Sequence, residues 1–200
     1  AGIASVPLSS FLSVKSDSTA NLPGMLSVAT IDLLGLWKES TRESRIKSVL
    51  ARMEELTGLK PDIICLPELF STMHVQEKII PEEAAEDEKV PGPVTGRISE
   101  FAKKHKCYVV CPLFTKNNGH IYNSSVLIDR KGQISGVYHK IHPAKAEIPD
   151  NGSSDKGITP GILNQPVIET DFGKLGMQIG YDIYWSESWE NLKNQGANII

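Results

Sequence analysis

Four consecutive apolar residues, Ile63-Ile64-Cys65-Leu66, stop abruptly at Pro67-Glu68. A strand that is apolar at every position fits a sheet covered on both faces. Just upstream, Ile46, Val49, Leu50, Met53 and Leu56 recur at three- and four-residue spacing, which places them on one face of a helix over residues 40–56. Gly58 reads as the stop of that helix, with Pro61 following. Residues 26–33 (LSVATIDL) are β-rich and read as a first core strand. Strand, helix and strand in this order form a right-handed βαβ crossover, which restricts the chain to an α/β fold.

The rest of the chain continues the alternation. The acidic run 81–89 (PEEAAEDEK) reads as a solvated loop or helix face. Residues 95–106 read as a second helix, with Ile98, Phe101 and Ala102 on its apolar side, and residues 107–114 as a strand. Segments 122–128 and 133–138 flank Asp129-Arg130-Lys131-Gly132, a hairpin loop, so the sheet is mixed. Residues 144–162 are polar and rich in Gly, Pro and Asp, and read as a long loop. Strands are expected at 166–170 and 175–179, around a turn at 171–174. A sharp corner, Gly180-Tyr181-Asp182, then leads into a helix opening near Ser186, with Ser186 as its N-cap and Gly196 at its end.

Composition excludes some classes of partner. A net charge of -3 over 200 residues offers no basic field for nucleic acid. No apolar run approaches the roughly 20 residues of a membrane-spanning helix. Three cysteines, Cys65, Cys107 and Cys111, lack metal-ligand spacing; Cys65 and Cys107, in apolar strand-like runs, read as buried free thiols. Both ends look cut. Residues 1–24 open with a small, apolar stretch and a polar linker, as a leader or a signal-peptide remnant would; residues 25–200 then form a partial domain. A signal remnant would mean export.

Three strand ends carry candidate chemistry. Glu68 directly follows the apolar strand, at the carboxyl edge where open α/β sheets place ligands. A solvated loop carboxylate is an equal reading of that residue taken alone. Lys140 follows another strand and could aim an ammonium into a cleft; a surface lysine is the commoner fate of such a residue. His139 and His142 flank it, but no third ligand stands at useful spacing, so a metal site is not read. Gly180 sits where a strand turns into a helix, a corner that in α/β enzymes displays a nucleophile.

Together, LPELF around Glu68, YHKIHP around Lys140 and GKLGMQIGYDIYWSE around Gly180 resemble, in order, the glutamate, lysine and cysteine motifs of the nitrilase superfamily of carbon–nitrogen hydrolases. The resemblance covers residues 26 to 200 and stops short of the family's last third. It implies an α/β, nitrilase-like α-β-β-α sandwich, with mixed β-sheets and helices on the outer faces, C-terminally truncated. It implies Glu68 as general base, Lys140 as the stabiliser of the tetrahedral intermediate and Glu147 as a supporting carboxylate. Gly180 stands at the position of the nucleophilic cysteine, and Tyr181 and Trp185 are candidate substrate contacts. No metal or organic cofactor is implied.

The expected reaction is amidase-like hydrolysis of a non-peptide C–N bond in a small amide, ureido compound or nitrile. Glycine cannot form the thioester, so a severely impaired hydrolase is expected. The alternative is a catalytically silent binding or assembly subunit. Substitutes for the thiol could be Cys65, expected on the face opposite Glu68, or Ser186 and Ser188 on the following helix. The resemblance further implies a homodimer or higher homo-oligomer and, without a signal, a cytoplasmic protein. Trp185, Trp189 and Leu192 are either a dimer face or a buried core stripe.

Overall fold

The computed structural model of the chain describes residues 25–33, 39–144 and 157–200. The leader expected at residues 1–24 and most of the loop expected at 144–162 lie outside the described residues.

Helix α1 (Arg42–Leu56) starts from a reciprocal cap: the Thr41 hydroxyl accepts the Ser44 N–H at 3.1 Å, and the Ser44 hydroxyl accepts the Thr41 N–H at 3.3 Å. Two orphan donors of the first turn are thereby satisfied. Thr41→Ala is expected to cost about 1 kcal/mol of stability, read from the urea midpoint. The helix buries Arg45, Ile46, Val49 and Met53. It does not stop at Gly58. A 3-10 turn, Thr57–Leu59, carries the chain on, and Lys60 (φ 50) makes the left-handed reversal before Pro61.

Six strands make the main sheet. Strands β1 (Val28–Thr30), β2 (Ile63–Cys65) and β4 (Tyr108–Asn117) run parallel, with Ile63 between Val28 and Tyr108. Strands β5 (His120–Ile128) and β6 (Ile134–His139) continue antiparallel from β4. The order is β1-β2-β4-β5-β6. Strand β1 is shorter than the expected 26–33, since only three of its residues pair with β2. The β4–β5 hairpin is longer than expected. Its turn is Asn118-Gly119, both at positive φ (50 and 82), the pairing that favours a tight two-residue loop.

The acidic run is solvated only in part: Glu82, Glu83 and Asp87 are exposed, whereas Glu86 and Glu88 are buried. Residues Pro81–Ala84 form the short helix α2, and Glu86–Asp87 form β3 along the far end of β4. Glu86 is buried and accepts the backbone N–H groups of Val94 and Thr95, at 2.6 and 2.9 Å. It thus caps helix α3 (Thr95–His105), which lacks a capping side chain of its own. Glu88 is also buried, accepting from Thr115 and Asn117.

The sheet separates two cores. One face packs against α1 and α3 through Ile64, Val109 and Cys111. The other packs through Ile63, Tyr108, Leu127 and Tyr138 against Ile168, Leu175, Met177 and Ile179. That second layer is the antiparallel hairpin β7 (Ile168–Thr170) and β8 (Gly173–Leu175). Gly136 on β6 permits the approach, because a Cβ there would lie 2.6 Å from Ile168 Cγ1. The expected strand at 175–179 ends at Leu175. Beyond it Gly176 donates to the Ile199 carbonyl at 2.8 Å, and Leu175 and Ile199 form one parallel bridge. Helix α4 (Ser186–Asn194) covers this layer with buried Leu192, whose Cδ1 would lie 3.1 Å from a Cβ at Gly176. Its N-cap is Trp185 and not Ser186, and Ser188 is buried. The result is the expected mixed α/β architecture, helices outside and two β layers within.

Candidate active site

Glu68 is delivered by a sharply bent loop. Leu66 still donates to Val110 at 3.0 Å; then Pro67 ends the ladder and its carbonyl accepts the Phe70 N–H at 3.1 Å. Leu69 and His74 adopt the left-handed region (φ 48 and 57), costly for side-chain-bearing residues and tolerated only where the surroundings insist. The surroundings here include Arg45. Its buried guanidinium reaches from α1 to donate to the carbonyls of Met73 (3.0 Å) and His74 (3.5 Å).

Lys140 is not a surface lysine. Its side chain is 4% exposed, and Nζ lies 2.7 Å from Glu68 Oε1. Its backbone N–H donates to the Asn123 carbonyl at 2.8 Å, which continues the β5–β6 pairing by one more residue. The Asn123 side chain, fully buried, donates Nδ2 to the same Glu68 Oε1 at 2.7 Å. Two donors therefore hold one carboxylate oxygen and leave the other for different work.

That other oxygen faces Gly180. The glycine opens a 3-10 turn, Gly180–Tyr184, with φ +47. A Cβ built on it would fall onto Glu68 Oε2, and would lie 3.3 Å from Glu68 Cδ. Residues distant in sequence, Glu68, Lys140 and Gly180, thus meet at one point. Glu68 and Gly180 line a cavity of about 380 Å³, whose walls include Ile63, Cys65, Val110 and Met177.

The other expected residues fall elsewhere. Glu147 lies outside the described residues. Tyr181 and Trp185 are 49% and 39% exposed and are not among the cavity-lining residues. Trp185 stacks on His142 instead, ring centroids 4.5 Å apart and 9° from parallel. Trp189 is exposed while Leu192 is buried, so only the latter belongs to the core.

Sequence reasoning did not single out Asn123, one of three consecutive polar residues on β5 with Ser124 and Ser125, whose site contact depends on β5–β6 register. Nor did it see the role of Asp182. This carboxylate is wholly buried and accepts from Tyr138 Oη (2.7 Å), the N–H groups of Ile141 (3.2 Å) and His142 (2.7 Å), and the His142 ring (Nδ1, 2.9 Å).

Cys65 corrects one expectation: it lines the same cavity as Glu68 and not an opposite face, because the Pro67 bend breaks the strand alternation. It is a free thiol whose pKa burial raises. Burial also pushes the Cys107 thiol up to about 11, and raises Cys111, fully buried, further. Protonated thiols are poor nucleophiles. At pH 7.5 iodoacetamide is expected to leave Cys107 and Cys111 unmodified in the native chain and to reach Cys65 slowly. Peptide mass spectrometry, with a denatured control labelled at all three, checks this.

The carbon-nitrogen hydrolase family model matches residues 5–200, nearly the whole sequence. The chain belongs to the carbon-nitrogen hydrolase family. Among relatives within the superfamily, a deaminated glutathione amidase of Dictyostelium discoideum is 25% identical over 187 residues, covering 88% of this chain and 63% of that protein. An omega-amidase of Homo sapiens is 25% identical over 171 residues, covering 84% of this chain and 60% of its own length. The chain spans from 25% to 63% of the length of the first curated relatives it matches. In fold, it is similar to a point mutant of the amidase from Nesterenkonia sp. AN1, with a TM-score of 0.67 at 14% identity, covering 87% of this chain and 63% of that one. That structure shows the acetamide moiety of fluoroacetamide added covalently at the amidase's own active-site cysteine.

Proposed function

We propose that Glu68, Lys140 and position 180 form the site of an amidase-like carbon-nitrogen hydrolase for small carboxamides, and that glycine at 180 leaves this chain without its nucleophile. The observation that carries the reading is the split use of the Glu68 carboxylate: Oε1 bound by Lys140 and Asn123, Oε2 turned to the Gly180 corner.

A cysteine at that corner would have a base beside its thiol. The thiolate would attack the carboxamide carbon, and the ammonium of Lys140 would sit near the oxygen that gains negative charge. Ammonia would leave with a proton returned by Glu68. Water, deprotonated by the same carboxylate, would then cleave the thioester to the carboxylic acid and free thiol. The amidase names among the relatives favour an amide substrate; ureido compounds and nitriles are the neighbouring classes. Residues 25–200 would be part of the catalytic domain.

A silent binding or assembly role is the second reading, favoured by one observation. Tyr181, Ile183, Tyr184, Trp185 and Trp189 are all exposed on the 3-10 turn and α4, an apolar area suited to pairing with a second copy.

Ammonia release from acetamide-sized amides tests the proposal, with the chain as it stands and with Gly180→Cys. The expected result is release by the variant alone. No release by the variant from amide, ureido or nitrile substrates overturns the site assignment, and equal rates overturn the role of position 180.

A further inference from the structure

We propose that Asp182 is a positioning residue that locks the Lys140 segment onto the Gly180 corner. Its catalytic consequence rests on the function proposed above; its geometry does not.

An aspartate two residues into a turn ordinarily bonds the turn's own backbone. Asp182 does so once, accepting from Ile179 N at 3.4 Å. Its four shorter contacts come from the other segment, 40 to 44 residues away in sequence. They bracket Lys140 on both sides: Tyr138 two residues before it, Ile141 and His142 after it. Oδ2 takes the Tyr138 hydroxyl and the Ile141 N–H, and Oδ1 takes the His142 N–H and faces the His142 ring. A carboxylate has about four lone-pair sites, and at full burial each needs a donor. The donors belong to β6 and the residues just after it, while the carboxylate belongs to the turn that Gly180 opens, so this one side chain ties the Lys140 segment directly to that corner. The stack of His142 on Trp185 closes the same junction from outside.

Asp182→Asn keeps the shape but puts an N–H₂ where one of the two oxygens accepted, so the backbone N–H of either Ile141 or His142 loses its acceptor. In the chain as it stands, acetylation of Lys140 by acetic anhydride, followed by peptide mass spectrometry, is expected to quicken about tenfold as burial is lost, with amide exchange at Ile141 and His142 rising alongside. In the Gly180→Cys background, kcat is expected to fall about 100-fold with KM nearly unchanged, the mark of misplacement by an ångström or so and not of lost binding. A folded Asp182→Asn protein with parental labelling, exchange and kcat overturns the proposal. Should that variant not fold, Tyr138→Phe and His142→Leu each remove one side-chain donor; parental Lys140 labelling in both overturns it equally. An inactive Gly180→Cys protein counts against the hydrolase reading alone, since the labelling arm still decides the clamp.

Discussion

Cysteine at position 180 is expected to raise ammonia release by on the order of a million-fold, as judged from the cost of deleting a nucleophile from a comparable serine-based site. The same substitution is expected to lower stability by about 1–3 kcal/mol. Both follow from one piece of geometry. The corner residue has φ +47, which glycine adopts freely and cysteine does not. A Cβ there also meets the Glu68 carboxylate, which in this chain has settled against the bare Cα. That carboxylate ends a flexible side chain and can withdraw, though Lys140 and Asn123 resist by holding Oε1. Function and stability should therefore move in opposite directions. Ammonia assays and urea unfolding on the same two proteins measure both; a cysteine variant as stable as the parent would show that the corner is unstrained.

Arg45→Met is expected to cost about 2–4 kcal/mol, from the loss of hydrogen bonds made by a charged donor. It is a replacement of similar length, so packing against α1 changes little and the effect isolates the guanidinium. The carbonyls of Met73 and His74 lose their buried partner. The loop between Glu68 and His74 holds two left-handed side-chain-bearing residues, Leu69 and His74, and would relax once released. In the Gly180→Cys background, kcat should fall with the stability, although Arg45 is part of a helix on the far face of the sheet. The comparison is urea unfolding plus turnover; a destabilised protein with full kcat would separate the loop's anchoring from the placement of Glu68.

The elements visible in advance were those with a strong local pattern. Helix α1 follows from its three- and four-residue apolar spacing and strand β2 from an unbroken apolar run, and they form where expected. The failures share a cause. Residues 81–89 look solvated by composition, yet Glu86 and Glu88 are buried because the N-terminus of α3 supplies donors to the first and two β4 side chains, 27 and 29 residues away, supply donors to the second. Residues 177–179 look like a strand, yet lack a regular ladder among the described residues, because strand character needs a neighbour as well as a pattern. The Asn118-Gly119 turn is legible in residue types, and it extends both β4 and β5 beyond the lengths expected.

The candidate site divides along the same line. Residue types and their order suffice for the α/β class, the family resemblance and the absence of a side chain at 180. Folding in three dimensions is what buries Lys140, gives its ammonium one oxygen of Glu68 to share with Asn123, turns the other oxygen to Gly180, and lets Asp182 bind the two segments together. Those contacts join residues 40 to 112 positions apart. Hydrogen bonding is a matter of ångströms, and the register of β5 on β6 and the bend after β2 set those ångströms; local composition carries no record of either.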